Sequence, residues 1–117
     1  MKPANERTEQ VLKYLGLAVR AGRVIVGVPL ICTALSRSAK HNAPLLVIEA
    51  SDTSEGTHKR ITDKTTYYQL PVLRIAANRQ RLALAVGKRE GEVAAVAVCE
   101  AGLAGAIQAA WQTENDQ

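Results

Sequence analysis

Phenylalanine is absent, and the only aromatic residues are three tyrosines and one tryptophan. Modules that bind single-stranded nucleic acid by stacking need aromatic side chains on a sheet face. Tyr14, Tyr67, Tyr68 and Trp111 all fall in segments that read as helices, so an RRM or an OB-fold is disfavoured. No apolar run approaches the roughly 20 residues of a membrane span. The opening segment MKPANERTEQ lacks the apolar stretch of a signal peptide, and a cytoplasmic location without membrane attachment is expected. Cys32 and Cys99 are far apart, with no CxxC and no pair of nearby histidines, so reduced, buried thiols are expected rather than a disulfide or a metal site. GxSxG, P-loop and GxGxxG patterns are missing as well.

Acidic residues are also missing where basic ones gather. Residues 1–40 hold seven Lys and Arg against Glu6 and Glu9, a net charge of +5, and no acid lies between Lys13 and Lys40. The other 77 residues sum to −1. A basic surface confined to one part of the chain attracts polyanions, nucleic acid first among them. A mildly basic protein with no such role fits the charge equally well.

Within that basic third, LGLAVRAGRVIVG (Leu15–Gly27) organises the reading. Arg20 and Arg23 flank Gly22, which sits where a helix would end, and Val24–Val26 then leads to Gly27 at the mouth of a new helix. A helix end, a basic residue, a short strand and a Gly-opened helix N-terminus could hold a phosphate backbone. The alternative is an ordinary helix–strand–helix connection with solvated arginines.

The periodicities give alternating helices and strands. A first helix is expected from about Arg7 to Ala21, with Val11, Leu12, Leu15, Ala18 and Val19 inward and Gly16 explained by close packing against a neighbour. Pro29 suits the first turn of the next helix, whose buried stripe is Leu30, Ile31, Ala34 and Leu35. Residues 38–44 read as a loop and LLVIEA (Leu45–Ala50) as a strand covered on both faces. Asp52, Thr53 and Ser54 are N-cap residues for a polar helix over Ser54–Tyr68. A short strand at Leu70–Ile75, holding Pro71, reads as an edge. A helix over Arg79–Val86 closed by Gly87, a charged turn at Lys88–Glu92, a buried strand at Val93–Val98, a helix at Gly102–Trp111 and a polar tail complete the chain. With no repeat and no linker, residues 1–117 are expected to form one α/β domain, with polar tails at 1–5 and 113–117, in which helices cover both faces of a sheet.

Catalytic signals are weak. His41 and His58 read as solvated. Asp52 and Asp63 could pair as carboxylates but are explained more simply as cap and surface groups. Glu49, inside an apolar strand, is either a perturbed carboxylate or, at least as readily, a partly exposed rim near the strand end. Tyr67-Tyr68 fits a packed pair better than a stacking platform.

The order of these segments, LGLAVRAGRVIVG, a helix, an apolar strand, SDTSEGTHKRITDKTTYYQLPV, LALAVGK and VAAVAV, resembles the kink-turn RNA-binding ribosomal protein superfamily. This is the L-seven-Ae and L-thirty-e group, and the likeness is greatest to its bacterial YlxQ-like branch. It extends from about Val11 to Trp111. The resemblance implies a three-layer α/β/α sandwich with a mixed four-stranded sheet, binding to structured RNA such as ribosomal RNA, a place in translation or ribosome-associated RNA metabolism, no enzymatic activity, and no cofactor or metal. The resemblance implies an RNA-contacting glycine at the position of Gly27, with an Asn-Glu pair that reads base edges of tandem G·A pairs, and a lysine, beyond it. Pro29, Leu30 and Thr33 stand there instead. Neither Pro nor Leu side chains can hydrogen-bond base edges, so specific kink-turn recognition is not expected, and the apolar Pro29-Leu30 pair opens an alternative as a protein-binding surface. The remaining RNA contacts the resemblance implies are Arg20, Arg23, Gly27, Arg37 and Lys40, together with the loop Lys88-Arg89 and the small apolar Val93 and Ala94 against a flipped-out base. The branch's SxxT and TDK segment appears as Ser54, Thr57, Thr62, Asp63 and Lys64, with no ligand to name for it.

Overall fold

The computed structural model describes residues 4–37 and 42–112. The elements follow as α1 (Ala4–Arg20), β1 (Val24–Val26), α2 (Val28–Ser36), β2 (Leu46–Glu49), α3 (Glu55–Tyr67), β3 (Val72–Arg74), α4 (Arg79–Ala85), β4 (Ala95–Val98) and α5 (Ala101–Trp111). Every expected element is present, with ends displaced by no more than three residues.

The four strands lie in the order β1-β4-β2-β3. Strand β4 pairs antiparallel with both β1 and β2, and β3 pairs parallel with β2 at the edge. Alternation along the central strands separates the two faces. Leu46, Ile48, Val96 and Val98 point into the larger core, which takes Val11 and Leu15 from α1, Leu82 from α4 and Ile107 from α5. Val47, Ala95 and Ala97 point the other way, toward Val28, Ile31 and Leu35 of α2 and Ile61 of α3. The sheet is therefore sandwiched, with α1, α4 and α5 on one face and α2 and α3 on the other.

Local chemistry sets the turns. Gly22 has φ +70, and its N–H reaches the carbonyl of Val19 while the N–H of Arg23 reaches that of Ala18. This is the paired hydrogen bonding of a Schellman C-cap. Gly16 does not behave as expected. A Cβ there would meet nothing within 4 Å, so close packing does not account for it. In α2, the inward residues are Val28, Ile31 and Leu35, whereas Leu30 is 61% exposed. The nine-residue helix turns a 3.6-residue stripe to the sheet and puts Leu30 on the opposite side.

Candidate nucleic-acid interface

At one end of the sheet, β1 hands over to α2 at Gly27. Its φ of +97 and ψ of +142 lie where side-chain-bearing residues are strained. Its N–H donates to the carbonyl of Ala95, and its own carbonyl accepts from Ile31. Among the described residues no side chain caps this helix. Pro29 has no N–H and that of Ile31 is taken by Gly27, so an anion here meets the N–H groups of Val28 and Leu30 and the positive end of the helix dipole.

Three elements meet there. Val26, Gly27, Val28 and Pro29, then Thr57 and Arg60 of α3, then Lys88, Glu92, Val93 and Ala94 of the loop before β4 line one cleft of about 370 Å³. Arg60 and Lys88 are exposed, and neither has an ion-pair partner among the described residues. Glu92 shares Arg79 with Asp52, Nη1 lying 3.4 Å from the Glu92 carboxylate and Nε 3.5 Å from that of Asp52, so its repulsion of phosphate is only partly offset. Val93 is only 3% exposed and its side chain belongs to the core. The inward alternation of the chain entering β4 leaves the apolar contact to Ala94.

The expected basic cluster is split. Arg23 and Gly27 stand at opposite ends of β1, four extended residues or roughly 13 Å apart. Arg23 faces β4's far end, where its Nη2 donates to the carbonyl of Cys99 at 2.8 Å and its carbonyl accepts from the Cys99 N–H. It is a structural tie there rather than a free cation, and the short strand, not a single surface, separates it from Gly27. Arg20 is exposed at the end of α1. Helix α2 runs back from Gly27, so Arg37 at its C-cap also lies away from the cleft. Arg89 turns from Lys88 to a separate recess with Gln80, Leu84, Glu90 and Gly91. Lys40 and His41 lie outside the described residues.

Arg60 escaped the sequence reading because it sits in a helix polar on most of its surface. The signal was its spacing, three residues after Thr57 and four before Lys64. The cleft is also braced by a group read differently from sequence. Glu49 is fully buried rather than on a rim. One of its oxygens, Oε2, lies 2.7 Å from Nδ1 of His58, accepts from the Thr53 hydroxyl and is 3.7 Å from Nε of Arg74. His58, half-exposed, is therefore held by Glu49 rather than free in solvent. Asp52 takes the backbone N–H of Arg79 and Asp63 pairs with Lys59, so Ser54 alone caps α3 and the two aspartates share no site. Cys32 and Cys99 are free thiols, and burial pushes the Cys99 thiol up against the opposing pull of Arg23.

The model of the ribosomal protein L7Ae/L30e/S12e/Gadd45 family matches residues 9–107. The chain belongs to that family. Two curated relatives place it on the YlxQ-like branch. A protein of Enterococcus faecium named RNA-binding protein YlxQ is 38% identical over 64 residues, 54% of this chain and 57% of that protein, so the match spans little more than half the relative's length. Its namesake in Bacillus subtilis (strain 168) is 37% identical over 82 residues, 70% of this chain and 77% of that one. A solved structure titled as a protein with unknown function from Bacillus halodurans C superposes with a TM-score of 0.76 at 32% identity, covering 88% of this chain and 97% of that chain. The fold is that of this family, an α/β/α sandwich on a mixed four-stranded sheet.

Proposed function

We propose that the chain binds structured RNA, without catalysis, at the cleft where Gly27 opens α2. The observation that carries this reading is the convergence on one recess of a helix N-terminus and two cations, Arg60 and Lys88, all without a capping or ion-pair partner among the described residues, and the small apolar Ala94. Backbone N–H groups and cations suit phosphate, and the names of the two relatives supply the class of nucleic acid. Arg20 and Arg37, exposed and away from the cleft, add only to the general positive field, which salt screens. Membership of the family supports a role in translation or ribosome-associated RNA metabolism, in the cytoplasm. Pro29, Leu30 and Thr33 in place of the polar readers make recognition electrostatic and shape-based, with ribosomal RNA as a suitable target and kink-turns not singled out.

A salt titration of binding to a structured ribosomal RNA fragment tests this. The log–log slope should be about −0.7 to −0.9 per phosphate contact. Arg60→Ala and Lys88→Ala should each reduce it by about one contact, and Arg20→Ala should leave it nearly unchanged. Flat salt dependence, or no binding at low salt, overturns the reading. Arg23→Ala is unsuitable as a test because it removes the tie to Cys99. A second reading, a protein-binding surface at Pro29-Leu30, is favoured by the exposure of Leu30. Partners captured by the wild type, retained after nuclease treatment and lost in Leu30→Ser, would support it.

A further inference from the structure

One face of α3 continues outward from the cleft. Thr57, Arg60, Lys64 and Tyr67 recur at intervals of three, four and three residues, which places them on one helical stripe. Thr57 and Arg60 line the cleft. Lys64 borders the apolar slot between α2 and α3, beside Ile31, Cys32 and Leu35. Tyr67 closes the stripe at 78% exposure, its ring edge-on to Tyr68 at 4.9 Å. This departs from the packed pair expected from sequence, since only Tyr68 joins the core. No acid lies on the stripe, and the nearest along the helix, Asp63, is held by Lys59 at 2.8 Å. Neither Arg60 nor Lys64 is ion-paired among the described residues.

From these positions we infer that the α3 stripe is a path for a single-stranded extension of the bound RNA, whose terminal base stacks on Tyr67. The inference rests on the RNA-binding reading of the cleft. Unpaired cations followed by an exposed ring are the elements of sequence-tolerant single-strand binding, a backbone track and a stacking face. The distance agrees. From Arg60 to Tyr67 is seven residues, about 10 Å of helix, or about three nucleotides at a stacked spacing of ~3.4 Å. The slot beside Lys64 holds only about 10 Å³, too little for a base, so the strand must lie over it.

The test compares an RNA stem–loop with and without a single-stranded extension of about three nucleotides, placed at either end. One of the extended RNAs should bind about fivefold to a hundredfold more tightly, the range of one stacked base. Tyr67→Ala should remove that gain and Tyr67→Phe should keep it, with near-ultraviolet and far-ultraviolet dichroism confirming that both variants fold. Equal binding of all the RNAs overturns the strand path and leaves the cleft reading standing, whereas no binding of any overturns both. A gain that survives Tyr67→Ala, or an oligoglutamate peptide that competes as well as the extension does, marks the stripe as plain positive charge and overturns the proposal.

Discussion

Nδ1 of His58 stands 2.7 Å from Oε2 of Glu49, tying the first turns of α3 to the C-terminal end of β2. Glu49 is fully buried, and its other oxygen has no hydrogen-bond partner in the described structure. A buried carboxylate with one unsatisfied oxygen depends heavily on the partners of the other. His58→Ala leaves Thr53 and the more distant Arg74, and should lower stability by about 1–3 kcal/mol, read as a shift of the urea midpoint at constant m-value. Because the bond also places Arg60 two residues on, RNA affinity should fall in the same variant. Unchanged unfolding would show that the histidine contributes nothing to the clamp.

Gly16 offers a change of opposite sign. It lies inside α1 with open space where a Cβ would project. Its cost is therefore conformational, about 1 kcal/mol relative to alanine, with no steric reason to retain it. Gly16→Ala should raise stability by about 0.5–1 kcal/mol in thermal or urea unfolding, with RNA binding unchanged. Destabilisation would mean that α1 needs the bare backbone in a way the packing does not reveal.

These two residues also show where sequence reasoning reaches its limit. The Schellman turn at Gly22, the start of α2 at Pro29 and the two-sided strands were legible because each rests on local chemistry or on a short periodicity. Glu49 was not, since its partner lies nine residues on, in a helix without a strong apolar pattern. For the site, Gly27, Lys88 and Ala94 could be named from segment order. Their separation from Arg23 depends on β1 being long enough to divide the basic cluster, and Arg60 gains meaning only when α3 is laid beside α2.

Glu100 provides the pH dependence. Its carboxylate caps α5, accepting from the N–H of Leu103 at 2.6 Å and of Gly102 at 3.1 Å. These two bonds, the Leu103 bond first, hold its pKa below the ordinary 4.5, with Arg23 adding to the effect. A carboxyl depressed in the folded state stabilises above its unfolded pKa, and that contribution disappears as pH falls through the folded value. Glu100→Ala should therefore be less stable than wild type at neutral pH, and the gap should shrink as pH drops below 4.5. Urea midpoints measured across that range decide it, and a gap constant with pH would assign the loss to something other than the charged cap.

Restoring the missing readers tests what separates this chain from the kink-turn binders it resembles. Leu30 is 61% exposed and Pro29 is exposed beside it, so neither holds the core together. Thr33 is exposed as well, and its hydroxyl returns to the carbonyl of Pro29 at 3.0 Å, a bond of little consequence at the surface. The backbone that would present readers, with Gly27 at φ +97 tied to Ala95, is already in place. Installing Pro29→Asn, Leu30→Glu and Thr33→Lys together should cost little stability. It should create a preference for RNA with tandem G·A pairs over the same stem with Watson–Crick pairs. A well-placed set of base-edge hydrogen bonds discriminates by about 1–3 kcal/mol, so the preference should be at least severalfold in competition binding. If the triple variant folds, binds RNA and shows no preference, the readers alone do not confer specificity, and the loop at Lys88–Ala94 must differ from that of the kink-turn binders as well.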